Sequence, residues 1–306
     1  MNKKILIVIG GPTCVGKSEL CIELAKKFNT DIISADSRQF YKELNIGVAK
    51  LPQKKLNEVT HHLINNKSIK EKYSVGDYLR DFSKISNKIF KTKDLIFLCG
   101  GSGLYIEAVS KGLNKIPKVK DGIRTKLYEE LDKNGIQKLS EKLKKHDLDS
   151  WKKIDLKNPR KVIRCLEVYL STKKPISYFL KNKLEKKKFD ILYFFLNEKR
   201  ELLYEKINNR VDKMISSGLK DEAKKLIELN KKVSLDTIGY KEFYAFFNKD
   251  QSLKETISLI KRNTRRYAKR QITWFKSKNF IEINPNEIST IEQLINKKRE
   301  TKASLL

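Results

Sequence analysis

The chain is 306 residues long and carries 67 Lys+Arg against 37 Asp+Glu, a formal net charge of +30. That length suits one large α/β domain or about two domains of ~150 residues, and the excess of cations, 55 of them lysine, points to a polyanionic partner, nucleic acid first. Four scattered cysteines (Cys14, Cys21, Cys99, Cys165) with no C-x-x-C pair exclude a disulfide framework and a zinc ribbon, and no apolar run approaches the ~18 residues of a membrane span.

Residues 1–5 run straight into a strand with no signal-type apolar segment, so a reducing cytoplasm is the expected home. Ile5 to Ile9 predict a buried strand. After Gly10, the residues Gly11, Pro12, Thr13, Cys14, Val15, Gly16, Lys17 and Ser18 fit G-x-x-x-x-G-K-[ST], and a helical run over 19–28 follows. Strand before and helix after make this a P-loop. Its glycines let backbone N–H groups turn inward on an anion, and the helix start adds its positive end. Lys17 is expected to bind the terminal phosphates and Ser18 to ligate a Mg²⁺ that bridges them. The loop alone does not say whether it holds a nucleotide or another diphosphate.

A second strand, over 31–36, ends in Asp36-Ser37-Arg38-Gln39. In a parallel sheet the carboxyl ends of strands face the ligand crevice, so Asp36 stands where chemistry happens; a helix N-cap is its equal alternative. His61-His62 read as loop or packing residues, since neighbours in sequence cannot both face one metal on a regular element. A helix is expected over 75–91 and a third strand over 94–99, running into Gly100-Gly101-Ser102-Gly103-Leu104-Tyr105. Two glycine turns in one sheet predict that Ser102 and its neighbours line one pocket.

Residues 115–188 lack a buried-strand pattern and break at Gly135, Pro159 and Pro175, which predicts a helical insertion. Within it Asn158 caps a helix whose Arg160 and Arg164 share one face while Ile163 and Leu166 turn inward. A core strand resumes over 189–196, then helices over 198–216, carrying Arg210, and over 219–230. The helix over 252–276 is the most basic element. Lys261, Arg265 and Lys269 form one row and Arg262, Arg266 and Arg270 the next, with no acidic residue between Lys261 and Lys278. Exposed helices usually mix both signs, so this face is expected to meet a phosphate backbone. A short strand over 280–283 and a frayed tail from Lys297 complete an α/β, P-loop NTPase-like parallel sheet flanked by helices. Residues 1–114 and 189–306 form its core, and 115–188 its helical insertion.

Seven blocks (11–18, 36–41, 61–63, 100–105, 158–169, 238–242 and 265–275) occur in the order and spacing of the tRNA dimethylallyltransferases, and the resemblance covers the chain to about Lys276. It implies transfer of a dimethylallyl group from its diphosphate to N6 of adenosine 37 beside the tRNA anticodon, with Mg²⁺. By the same resemblance the P-loop grips the donor's diphosphate, Arg210 is the phosphate-binding arginine, and Asp36 is the general base. Ser37, Arg38 and Gln39 recognise the target base, and Ser102, in a place where the family often has Thr, meets donor or RNA. Arg124, the stretch Arg160, Lys161, Val162, Ile163 and Arg164, and the basic helix with Arg262, Arg265, Arg266, Lys269 and Arg270 contact tRNA, as do Asp36 and Ser102. A monomer is expected.

Two places depart from the family pattern: Cys14-Val15 replaces a small pair, and Thr172-Lys173-Lys174-Pro175 replaces a turn with glycine. The P-loop alone would also fit a small-molecule kinase. An enzyme that prenylates free AMP or ADP would share Lys17, Asp36 and Ser102, and differs by lacking an RNA-binding surface.

Overall fold

The computed structural model describes residues 4–181, 187–229 and 236–303. The core opens with β1 (Ile5–Gly10), α1 (Lys17–Lys27), β2 (Ile32–Ser34), α2 (Gln53–Leu56), β3 (His61–His62), α3 (Val75–Ile89), β4 (Leu95–Gly100) and α4 (Gly103–Lys111). A helical stretch follows: α5 (Ile123–His146), α6 (Leu148–Trp151), α7 (Pro159–Thr172) and α8 (Ile176–Leu180). The core then resumes with β5 (Asp190–Leu196), α9 (Arg200–Ser216), α10 (Leu219–Leu229), α11 (Phe243–Phe247), α12 (Leu253–Lys276), β6 (Ile281–Ile283) and α13 (Ile288–Ala303). Two compact units result, Met1–Ser110 with Lys187–Leu306, and Lys111–Lys186, where the sequence predicts boundaries at 115 and 188.

Among the described residues the strands form one six-stranded parallel sheet in the order β3-β2-β4-β1-β5-β6. Strand β1 is buried throughout because helices cover both faces, as parallel sheets require. Its alternate side chains still part company. Ile5, Ile7 and Ile9 pack with Leu20 and Leu24 of α1, Leu203 and Ile207 of α9, and Ile291 and Ile295 of α13. Leu6 and Val8 pack with Tyr78 and Phe82 of α3, Ile106 and Val109 of α4, and Phe275 of α12. Each such aliphatic side chain contributes about 1.5–3 kcal/mol by leaving water.

Register levels the strand ends. Gly10 lies opposite Gly100, and Ser34 opposite Cys99. The P-loop, the segment that starts at Asp36 and the second glycine turn therefore leave the sheet side by side. The 24-residue helix α12 runs past these ends, begun by a capping box between Ser252 and Glu255.

In the helical unit, α5 is interrupted at Gly135 (φ 73°, ψ 172°). Its Leu127, Leu139 and Leu143 pack against Val162, Ile163 and Leu166 of α7. Asn158 caps α7 by accepting the Arg160 N–H at 3.1 Å. At the other end Lys173 is left-handed (φ 58°, ψ 12°), so the lysine adopts the conformation its missing glycine would favour. Lys173→Gly is accordingly expected to stabilise this unit by about 1 kcal/mol, measured by denaturant unfolding of the whole chain. No gain, or a loss, would show that the left-handed lysine is unstrained.

Two expectations are corrected here. His61 and His62 form an edge strand paired with β2 rather than a loop, and His62 Nε2 meets the Asp31 carboxylate at 2.8 Å. Of the tail from Lys297, the stretch to Ala303 continues α13 and Arg299 pairs with Asp94 at 3.0 Å, where fraying is expected; 304–306 lie outside the described residues. Among the described residues no helix is long and apolar enough to cross a membrane.

Candidate active site

The P-loop curls as its sequence predicts. Gly16, left-handed at φ 96°, caps α1, and Cys14 is also left-handed at φ 70°. The half-buried Lys17 folds back so that its Nζ donates to the Pro12 carbonyl at 2.6 Å. Loss of water around this ammonium holds it below the usual lysine range. An anion placed beside this ammonium would favour its charged form. Arg210 reaches in from α9, its Nη1 donating to Thr13 Oγ1 at 3.2 Å. Burial raises the Cys14 thiol, against the pull of Arg210.

Asp36 lines the same pocket as Lys17 and Arg210. Its Oδ1 accepts the N–H groups of Arg38 at 2.9 Å and Gln39 at 3.4 Å. No helix follows, since 37–40 form a turn, so Asp36 closes a turn and not a helix, and the same carboxylate lines the pocket. Ser102 Oγ accepts the Ser37 N–H at 3.0 Å, so the hydroxyl ties the Asp36 loop to the second glycine turn. Tyr267 of α12 lines the pocket; burial and the nearby Asp36 carboxylate push its hydroxyl up to about 12.

Gln271 is the functional residue that sequence reasoning left without a role. Its Oε1 accepts the Thr13 N–H at 2.9 Å and its Nε2 donates to the Gly101 carbonyl at 2.9 Å. One buried amide from α12 thus joins both glycine turns. Gly101 must be glycine for this approach, since a Cβ there would stand 2.2 Å from Gln271 Nε2. The signal lay in one polar residue on the inner face of an amphipathic helix, a position that demands partners when buried.

The rest of the pocket mixes apolar side chains with the polar groups of Glu19, Ser34 and Gln39. Ile32 of β2 and Val48, Ala49, Leu51 and Ile64 line it, together with His61. The P-loop follows β1, whereas Ile32 belongs to β2, Val48, Ala49 and Leu51 precede α2 and Ile64 follows β3, on the side that also carries Ser34, Asp36, Gln39 and His61. The pocket therefore offers cations and loop amides to an anion and a hydrocarbon wall to whatever the anion carries.

The sequence profile of the IPP transferase family matches residues 39–278. A tRNA dimethylallyltransferase of Flavobacterium psychrophilum is 45% identical over 277 residues, 89% of this chain and 90% of that protein. This chain belongs to the IPP transferase family. A second tRNA dimethylallyltransferase, from Christiangramia forsetii, is 43% identical over 95% of this chain and 98% of its own. The crystal structure of a tRNA isopentenylpyrophosphate transferase from Bacillus halodurans superposes with a TM-score of 0.72 at 37% identity, covering 99% of both chains. A eukaryotic dimethylallyltransferase described as acting on tRNA gives a TM-score of 0.75 at 29% identity, over 94% of this chain and 75% of that one.

The basic residues of this IPP transferase divide by what they touch. On α12, Arg262, Arg266, Lys269 and Arg270 are exposed. Lys261 instead pairs with Asp212 of α9 at 2.7 Å, and Arg265 donates to Asn208 at 2.7 Å beside the Tyr204 ring. The missing acids of α12 are thus supplied in part by its neighbour, and Arg265 serves helix packing. In the helical unit Arg160 and Lys161 are exposed. Arg124 grips the buried Glu167 with two bonds of 2.7 Å, and Arg164 adds a third at 2.6 Å. Burial pushes the Glu167 carboxyl up, but the two guanidinium groups outweigh it and hold it below the usual range. Val162 and Ile163 are corrected: their side chains lie in the core of this unit, facing Leu139 and Leu143, and offer nothing to RNA.

Proposed function

We propose that this chain transfers a dimethylallyl group from dimethylallyl diphosphate to N6 of adenosine 37 in tRNA, releasing pyrophosphate, as a cytoplasmic monomer. The observation that carries the donor is the two-sided pocket. Its P-loop with Lys17 and Arg210 suits a diphosphate, and the apolar part of its lining, Ile32, Val48, Ala49, Leu51 and Ile64, suits a five-carbon apolar tail. The tRNA acceptor is supported by the family, whose relatives bear the name tRNA dimethylallyltransferase, and by the exposed cations of α12 and of the helical unit.

In this reading N6 attacks the first carbon of the prenyl group, the carbon–oxygen bond breaks, and its electrons leave with the pyrophosphate. Lys17, the loop amides and Arg210 stabilise the charge that grows there. Asp36 takes the proton that N6 loses. Adenine N6 is screened by its neighbours in a stacked loop, so the base must swing out to reach Asp36, with Ser37, Arg38 and Gln39 receiving it. Ser18, in the first turn of α1, is the hydroxyl that would hold Mg²⁺. One hydroxyl completed by diphosphate oxygens and water is a donor set that suits this ion, which when bound would neutralise leaving-group charge.

Calorimetric titration tests the donor: dimethylallyl diphosphate is expected to bind and ATP to bind more weakly, without being hydrolysed. Tighter ATP binding with turnover would favour a kinase. The RNA surface has its own test. Replacing Arg266 and Lys269 by alanine is expected to weaken tRNA binding and to lower the slope of log K against log salt by about one for each phosphate that is no longer neutralised. Arg265→Ala is expected to leave the slope unchanged and to lower the melting temperature instead, because its guanidinium is engaged by α9.

A further inference from the structure

The block Ile238-Gly239-Tyr240-Lys241-Glu242 supplies no pocket lining, yet it is knitted to a segment that does. Glu222 of α10 accepts the Ile46 N–H at Oε2 and the Gly47 N–H at Oε1, both at 3.0 Å, and Oε1 also accepts the Tyr240 hydroxyl at 2.7 Å. Burial, then the Glu222 carboxylate, push that hydroxyl far above the ordinary phenol range, so it stays a donor. Tyr240 is fully buried and its ring fills the place of a side chain at Gly47, where a Cβ would stand 2.4 Å from Cζ. One and two residues past Gly47, Val48 and Ala49 line the aliphatic side of the pocket. Val48 is held from the opposite side as well, its carbonyl accepting Gln39 Nε2 at 3.2 Å.

We propose that Glu222, steadied by Tyr240, is a positioning residue that fixes the wall formed by Val48 and Ala49 and thereby sets the length of prenyl chain the pocket accepts; the proposal rests on the donor reading above. A carboxylate is needed because it faces three donors and has only acceptor atoms. Glutamine would turn an NH₂ toward one of the backbone N–H groups and release that part of the wall. These bonds of the carboxylate go to Ile46, Gly47 and Tyr240, outside the β1, α1 and α9 elements that build the anion end, so the two ends separate experimentally.

The test compares the full-length wild type with Glu222→Gln and Tyr240→Phe, reading KM and kcat for dimethylallyl diphosphate, Ki for inorganic pyrophosphate, and relative kcat/KM for geranyl diphosphate. Glu222→Gln is expected to raise KM about tenfold and to improve the relative use of geranyl diphosphate, with kcat and the pyrophosphate Ki within about twofold. Tyr240→Phe is expected to move the same readouts in the same direction by less. If Glu222→Gln does not fold, Tyr240→Phe alone decides: an unchanged KM and chain-length ratio overturn the proposal. A pyrophosphate Ki that rises in parallel with KM also overturns it, since the carboxylate would then only support the fold. A wild type that does not bind dimethylallyl diphosphate removes the donor reading itself, and the proposal with it.

Discussion

Asp36→Asn is expected to lower kcat for prenyl transfer by roughly 10²–10⁴-fold while the Kd for tRNA changes by less than about twofold. The substitution is clean because of what Oδ1 does. It accepts the Arg38 and Gln39 N–H groups at 2.9 and 3.4 Å, and an asparagine oxygen can accept the same pair. The loop that carries Ser37, Arg38 and Gln39 is therefore kept, and what disappears is a group able to receive the N6 proton. Single-turnover rates at saturating tRNA and donor, with filter binding alongside, separate the two effects. A kcat within tenfold of wild type would remove Asp36 from the role of base and leave it as the cap of its loop.

Gln271→Leu is expected to destabilise the fold by about 2–5 kcal/mol and to raise the KM for the donor, because it strands two buried groups at once. The Thr13 N–H and the Gly101 carbonyl each lose a bond of 2.9 Å. Thr13 also takes the Arg210 bond, so loosening it unsettles the arginine expected to face the leaving group. Gln271→Glu separates packing from charge. It keeps an acceptor for Thr13 but sets a carboxylate against the Gly101 carbonyl and beside the anion seat, so donor affinity falls further than stability does. A loss below about 1 kcal/mol for the leucine variant in urea unfolding would mean that water replaces the amide.

What could be read directly from the chain was what depends on neighbours in sequence. The apolar run from Ile5 to Ile9, the G-x-x-x-x-G-K-S spacing, the Asn158-Pro159 helix start and the Gly135 break are local signals, and each of these elements forms where expected. The strand His61–His62 escaped because two residues cannot display a period of two; it exists because β2 offers an edge. Lys173 escaped because nothing local marks a lysine as left-handed. The site divides the same way. Lys17, Asp36 and Arg210, far apart in sequence, line one pocket. Gln271 escaped because its partners lie 258 and 170 residues away in sequence. The acid-free run of α12 overstated the RNA face for a related reason. Asp212 and Asn208, which engage Lys261 and Arg265, belong to another helix, and charge patterning along one element cannot see across to its neighbour. Glu167 hides in the same manner, its partner Arg124 standing one helix away on α5.

The account rests on a diphosphate leaving the P-loop as a swung-out adenine yields its proton at Asp36. Incubating the purified chain with dimethylallyl diphosphate, Mg²⁺ and unmodified tRNA, then digesting to nucleosides for mass analysis, tests it most directly. Dimethylallyl-adenosine arising at position 37, with one pyrophosphate released per nucleoside, is the predicted result. Unmodified adenosine at that position, together with prenylation of free AMP or phosphate transfer from ATP, would contradict it.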